Sequence, residues 1–294
     1  MCTAIRYKDT FGRTFDYEKS FGEQLVKLEK GSDMRFVHEG YIKAEHSVIG
    51  AAKVFDDKLL FFDGMNEVGL CAAALNFPRY AFYRGSRCDG INLASFEVIG
   101  YILALCSSVE EVKYRMRRLN ITPISVSEEL CATPLHWMIS DRRESVAIEP
   151  LRCGVRILDN PVEVLTNSPP LEYQLTRLSD FLHLDSLPSK NRLCADTSVT
   201  PYSRGMGAIG LPGDWSSSSR FARAVFVKEK LYAGSLGKYE AFLEIAKSIS
   251  VPKGCVMSES GEAVGTLYTS FMDMSDGVYR YRKTGDFTEK CLSF

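Results

Sequence analysis

Short runs of alternating apolar and polar residues dominate the first quarter of the chain, the period-two signature of strands that bury one face. Runs at 2–7 and 13–17 flank a turn predicted over 8–12, and runs at 47–55, 58–62 and 68–76 follow, broken by Asp56-Asp57 and Asn66-Glu67. They predict an antiparallel meander over residues 2–76. The period then lengthens to that of helices at 96–106 and 109–119. The second helix opens on Ser108-x-x-Glu111, a capping-box pattern, and carries apolar Val109, Val112 and Met116.

Beyond them, 134–140 and 145–151 predict a hairpin around Asp141-Arg142-Arg143-Glu144, strands continue at 155–158 and 162–166, and 171–182 has helical spacing. A polar stretch near 185–204 precedes serines at 216–219 that can cap a helix through 221–228. A helix at 239–249 and closing strands at 265–272 and 278–282 complete the pattern. Strands and helices come in blocks, without the βαβα alternation of a parallel sheet. With no linker, repeat or low-complexity tract, the pattern predicts a single α+β domain over 2–294.

Composition narrows the partner. The 36 basic and 37 acidic residues nearly cancel, leaving no basic stripe for nucleic acid or an anionic membrane. No uninterrupted apolar run approaches the roughly 18 residues of a membrane span, and the start, MCTAIRYKDT, lacks a secretory pattern. The expectation is a soluble cytoplasmic protein acting on a small molecule. Nine cysteines, with no CxxC pair, suggest neither a zinc site nor a disulfide framework, and most should be free thiols in a reducing compartment.

Covalent cleavage of an amide needs a nucleophile and a base. The four histidines, His38, His46, His136 and His183, suggest no triad, and His136 in PLHWMIS reads as a packed strand residue beside Trp137. Cys2 offers another solution. Methionine aminopeptidase removes Met1 before a small residue, leaving a cysteine with a free α-amine, so nucleophile and base share one residue. Their reference pKa values, about 8.5 for the thiol and about 7.7–8.0 for the amine, let protons pass between them near neutrality. Cysteine at position 2 is by itself more often an incidental residue than a catalytic one. Two other patterns carry less: the GxGxxG over 205–210 lacks a preceding strand and a following helix, and the serines at 216–219 lack a nucleophile-elbow context.

Seven blocks, MCTAI at the start, FGRTFDYEKSFGEQ at 11–24, NEVGLCAAALNF at 66–77, PLHWMISD at 134–141, VLTNSP at 164–169, YSRGMGAIGLPGDWSSSSRF at 202–221 and PKGCVM at 252–257, stand in an order that resembles the choloylglycine hydrolase family of bile salt hydrolases and penicillin V acylases. The resemblance implies an N-terminal-nucleophile fold, an αββα sandwich of two antiparallel sheets between helical layers. It implies Cys2 as nucleophile after loss of Met1, Arg13 beside its sulfur, Asp16 holding the α-amine, Asn76 at the oxyanion, and Asn167 and Arg220 completing the polar site. Arg13 would stabilise thiolate, and Asp16, near a strand edge, would accept from the amine. Alone, Arg13 and Asp16 read as a surface ion pair, and Asn76 and Asn167 as turn residues.

The resemblance places Phe15, Val126 and Leu130 against an apolar acyl body; otherwise they are core residues. Blocks such as LNFPRYAFY favour glycine- or taurine-conjugated bile salts, small amphipathic amides, with penicillin V as the alternative substrate. It also implies a homo-oligomer, commonly a tetramer, and no metal or organic cofactor. Two departures stand out. Arg13-Thr14-Phe15-Asp16 has threonine where the family has asparagine, and the chain ends at KCLSF, short of the usual end, leaving the last strand without an expectation. A different class, a binding protein of this fold that retains Met1, would lack the free amine. An amidotransferase with N-terminal cysteine would normally carry a second domain.

Overall fold

The computed structural model describes residues 1–56, 58–128, 131–194, 196–232, 234–286 and 288–294. In chain order the strands are β1 (Cys2–Tyr7), β2 (Thr10–Tyr17), β3 (Gln24–Leu28), β4 (Asp33–Phe36), β5 (Gly40–Lys43), β6 (Val48–Phe55), β7 (Lys58–Asn66), β8 (Cys71–Asn76) and β9 (Ile91–Ala94). Helices α1 (Val98–Leu105) and α2 (Val109–Arg115) follow, then β10 (Leu119–Thr122), β11 (Leu135–Ser140), β12 (Ser145–Leu151), β13 (Gly154–Asp159) and β14 (Val164–Leu165). The last part holds α3 (Leu171–Arg177), α4 (Ser217–Lys230), α5 (Lys238–Ile249), β15 (Val256–Met257), β16 (Ala263–Asp273), β17 (Val278–Lys283) and β18 (Glu289–Ser293).

Two sheets of seven strands carry the fold. One runs β14-β1-β2-β16-β17-β18, with β15 on β16; the other runs β13-β12-β11-β8-β7-β6-β3. Every pairing within them is antiparallel. The sheets face each other, β1 and β2 against β8 and β17 against β6. Helices α4 and α5 cover the outer face of the first sheet, and α1 lies on β7 and β8 of the second. This is the αββα sandwich. Among the described residues no helix is long and apolar enough to cross a membrane.

The local patterns explain the layers. Helix α1, VIGYILAL, is buried all round, with β4 packed on it as well as the sheet: Phe36 meets Tyr101 edge-on at 5.3 Å and Met34 reaches Gly100. Ser108 caps α2 by accepting from Glu111 N, but the Glu111 carboxylate returns to Ser107 N instead of closing the box on Ser108. Ser216 caps α4 by accepting from Ser219 N. The residues over 205–210 are a loop with one short turn, Met206–Ala208.

Several expectations need correction. The first 76 residues do not form one meander: β1 and β2 belong to one sheet, and the chain then crosses to β3, β6, β7 and β8 in the other. Alternation reports a buried face and does not say which sheet buries it. The turn after β1 is confined to Lys8-Asp9, and Gly12 lies within β2. Its glycine is demanded by the close approach of β16 and α5, since a Cβ would fall 2.1 Å from Ser270 O and 2.6 Å from Phe242 Cζ. Asp16 is not at a sheet edge, because β2 lies between β1 and β16. The closing edge exists: β18 pairs with β17. Strands β3, β4, β5, β9 and β10 escaped the sequence pattern because most are four or five half-exposed residues.

Candidate active site

Register puts the first strand's chemistry on two faces. Cys2 pairs with Phe15 and Ala4 with Arg13, so Cys2, Arg13 and Phe15 share the face that looks into the space between the sheets. Thr3, Thr14 and Asp16 alternate to the opposite face, under α4. All of these side chains are buried, Cys2 and Asp16 completely and Arg13 to within 1%. A surface ion pair is therefore excluded for Arg13 and Asp16.

Arg13 sits where β7 and β8 part. Their ladder runs from Met65↔Cys71 to Asp63↔Ala73. One residue further on, the carbonyls of Phe62 and Ala74 both turn to Arg13 Nη1, at 3.0 and 2.6 Å. Arg13 Nη2 is buried without a partner among the described residues, and the guanidinium lies 4.8 Å from the Phe15 ring centroid. Burial opposes its charge, but the electrostatic pull of Cys2, then of Tyr268 and Asp63, prevails and holds its pKa above the usual range. Tyr17 is pushed up by burial and by the same Cys2 charge. Register puts the Cys2 side chain on the same face as Arg13, and both shifts carry a contribution from it.

On the helix side, Arg220 of α4 gathers the start of the chain. Nη1 donates to Cys2 O at 2.8 Å and to Thr3 Oγ1, Nη2 to Asn167 Oδ1 at 2.7 Å, and Nε to Trp215 O at 3.1 Å. Its Nη1 is 3.9 Å from Asp16 Oδ2. Burial lowers the Arg220 pKa, while the Asp16 and Cys2 charges work against that. Asp16 also accepts from Thr266 Oγ1 at 2.6 Å and Thr14 Oγ1 at 3.3 Å. Thr14, the departure from the family pattern, thus supplies a donor of its own.

Asn167 stands at the centre. Cys2 N donates to its Oδ1 at 2.8 Å, and its Nδ2 donates to Asn76 O at 2.8 Å. Its own N–H donates to Ser217 Oγ at 2.9 Å, from the first turn of α4. Met1 is attached through Cys2 N, its amine donating to Asp16 O and its carbonyl accepting from Asp16 N. Asn76, at the end of β8, is half-buried; its side chain makes no hydrogen bond among the described residues, and its Oδ1 is buried unpaired. Among the described residues no group engages its side-chain amide, which can therefore turn to a ligand.

A cavity of about 300 Å³ opens beside Asn76, walled by Phe15, Tyr17, Phe21, Phe61, Phe62 and Phe96. Phe15 is nearly enclosed, stacked on Tyr268 at 4.8 Å and Tyr17 at 4.6 Å. Val126 lines the rim, whereas Leu130 lies outside the described residues. Six of the nine residues expected at the site, Cys2, Arg13, Asp16, Asn76, Asn167 and Arg220, thus converge as one set, and Phe15 and Val126 line the adjoining cavity.

Sequence reasoning missed the braces. Thr266 holds Asp16, and Ser217, inside the serine run taken only for capping, holds Asn167. His136 is more than a packed neighbour of Trp137: fully buried, it stacks on Phe77 at 4.2 Å and binds Thr166 O through Nε2 at 2.8 Å. It therefore ties the residue after Asn76 to the residue before Asn167. Its Nδ1 faces Glu149 Oε1 at 3.4 Å. No pattern in the sequence marks that pairing.

Comparison with known proteins gives a consistent result. Residues 2–293 match the family described as linear amide C–N hydrolases, choloylglycine hydrolase family. A bile salt hydrolase/transferase of Lactiplantibacillus plantarum is 40% identical over 287 residues, covering 96% of this chain and 89% of that protein. A conjugated bile acid hydrolase of Lactobacillus gasseri is 30% identical, covering 99% and 95%. Among solved structures, a conjugated bile acid hydrolase variant of Clostridium perfringens superposes with a TM-score of 0.92 at 30% identity, over 100% of this chain and 92% of that one. Penicillin V acylase of Agrobacterium tumefaciens shares the fold, with a TM-score of 0.77 at 18% identity, over 100% and 86%.

Proposed function

Because the chain belongs to the choloylglycine hydrolase family of linear amide C–N hydrolases, we propose that it hydrolyses the amide bond of glycine- or taurine-conjugated bile salts with Cys2 as nucleophile. The observation that carries this reading is the hydrogen bond from Cys2 N to Asn167 Oδ1. It fixes the atom that becomes the α-amine when Met1 is removed. The amine then has further donors, and the Asp16 backbone and carboxylate lie beside the place Met1 leaves.

The α-amine takes the thiol proton, Arg13 stabilises the thiolate, and sulfur attacks the amide carbonyl carbon. The oxygen becomes an oxyanion that accepts from the free Asn76 amide, a donor of a kind worth about 3 kcal/mol in the transition state. Collapse breaks the C–N bond, and the α-ammonium returns its proton to the departing amino acid. Water, deprotonated by the same amine, then cleaves the thioester and regenerates Cys2. The aromatic cavity receives the apolar acyl body, with Phe15 and Val126 in its wall.

The test is amino-acid release from glycocholate and taurocholate by the wild type and Cys2→Ser, with intact mass recorded on both. Release by a Met1-free wild type and not by the variant supports the reading; processed protein that releases neither amino acid sinks it. Penicillin V belongs in the same assay, since the ring-lined cavity also suits a phenoxy group. A chain that keeps Met1 fully and binds bile salt without cleavage would be the binding protein instead.

The mature unit in this reading is residues 2–294, a single domain. A homo-oligomer, a tetramer by family resemblance, would cover Leu182, Leu187, Leu193, Tyr202 and Ile209, which project from the loops before α4. A reducing cytoplasm suits nine cysteines that are all free.

A further inference from the structure

Behind Arg13 lies a carboxylate that none of these steps uses. Asp63 occupies the last position at which β7 is laddered to β8, paired with Ala73, and is fully buried. Its two oxygens accept from Tyr279 and Tyr268, at 2.5 and 2.7 Å, so strands β17 and β16 both reach across the sandwich to it. Burial raises its pKa, while the Arg13 charge and the Tyr279 and Tyr268 hydroxyls work against that and favour the anion. The next residue along, Phe62, presents its carbonyl to Arg13. Among the described residues the hydrogen bonds of Arg13 go to carbonyls, and its interaction with Asp63 is electrostatic. Among the described residues the phenols facing this space are kept neutral by burial, Tyr17, Tyr268 and Tyr279 themselves, and Tyr281, which donates to Glu23; from the opposite face of β1 and β2 the charged pair Arg220 and Asp16 also acts on Cys2 and is unchanged in the variants below.

We propose that Asp63 is a positioning residue of the active site, whose charge offsets that of Arg13 and so leaves the Cys2 proton free to pass to and from the α-amine. The proposal rests on the reading of Cys2 as an N-terminal nucleophile. An uncompensated guanidinium beside the thiol in a dry interior would hold Cys2 as a thiolate of low basicity. Such a thiolate is a weaker nucleophile, because nucleophilicity falls with basicity, and it would take back a proton poorly. A fixed carboxylate behind the guanidinium removes part of that field while Phe62 O and Ala74 O keep the guanidinium in place.

The test is the pH dependence of iodoacetamide alkylation at Cys2, read by mass spectrometry of the N-terminal peptide, on processed wild type, Asp63→Asn, Asp63→Glu and Tyr268→Phe/Tyr279→Phe. The expected result is a thiol pKa lower by about one unit in Asp63→Asn, with most of the shift restored in Asp63→Glu. The double tyrosine variant should move the same way, because a buried carboxylate stripped of its donors takes up a proton. It also keeps the test open should Asp63→Asn fail to fold. A folded variant whose thiol pKa is unchanged or raised overturns the proposal. Alkylation needs no amide substrate, so that outcome is distinct from a processed wild type that releases no amino acid, which would overturn the activity itself.

Discussion

Replacing Asn167 with alanine tests the site at the point where most of its contacts meet. The side chain accepts from Cys2 N at 2.8 Å and from Arg220 Nη2 at 2.7 Å, and donates to Asn76 O at 2.8 Å. Two neutral hydrogen bonds at about 1 kcal/mol each and one charge-assisted bond at about 2 give a loss of about 4 kcal/mol. At about 2–3 °C per kcal/mol for a chain of this size, melting should fall by roughly 10 °C. Activity should fall further than stability explains. The freed Cys2 amine no longer holds the geometry for proton transfer, and a displacement of about 1 Å costs on the order of 10²-fold in rate. Calorimetry gives the first quantity, and amino-acid release at saturating conjugate, measured well below the lowered melting point, gives the second. A variant that melts within about 2 °C of wild type and keeps kcat within about fivefold would refute the argument that Asn167 joins Cys2, Asn76 and Arg220 into one unit.

Thiol reactivity should divide by burial: burial pushes Cys71 well above its ordinary value and Cys106 up to about 12, so at pH 8 iodoacetamide should spare both while labelling exposed Cys88, Cys131, Cys153, Cys255 and Cys291, as peptide mapping would show. Asp214, bonded by Ser216 and Ser219 at the start of α4, is lowered to about 2. A depressed folded value means its stabilisation is full above the unfolded value near 4 and disappears as pH falls through 2, so the melting difference between wild type and Asp214→Asn should shrink over that window. His136→Phe keeps the stack on Phe77 but leaves Thr166 O without its donor and Glu149 Oε1 with Leu171 N as its remaining donor among the described residues, and should cost about 2 kcal/mol in thermal unfolding; adding Glu149→Gln should recover part of it.

What could be read from the chain depended on how far its cause extended along it. The cap at Ser216, the helices α4 and α5 and the hairpin of β11 and β12 are decided within a few residues, and their patterns located them to within a residue or four. Cys2 was conspicuous for a similar reason: its chemistry depends on position in the covalent chain, which a sequence states directly. The gathering of the site is different. Cys2 meets Asn167 across 165 residues and Arg220 across 218, and only the resemblance to a family linked them beforehand.

The resemblance stopped at the residues that touch the reaction, and the groups that hold them had no comparable mark. Asp63, in LLFFDGMN, looks like an exposed interruption of an apolar strand, yet it is buried because Tyr268 and Tyr279, more than two hundred residues later, arrive at its two oxygens. His136 looks like packing because its partners, Glu149, Phe77 and Thr166, come from three other places in the chain. Periodicity records which face of a strand avoids water. It cannot record that a polar residue is tolerated on that face because its partners have been delivered there by another sheet. A polar residue interrupting a buried strand is therefore the place to seek an active site's supports, since burying it is costly unless the fold supplies partners, and here those partners border Arg13 and both asparagines.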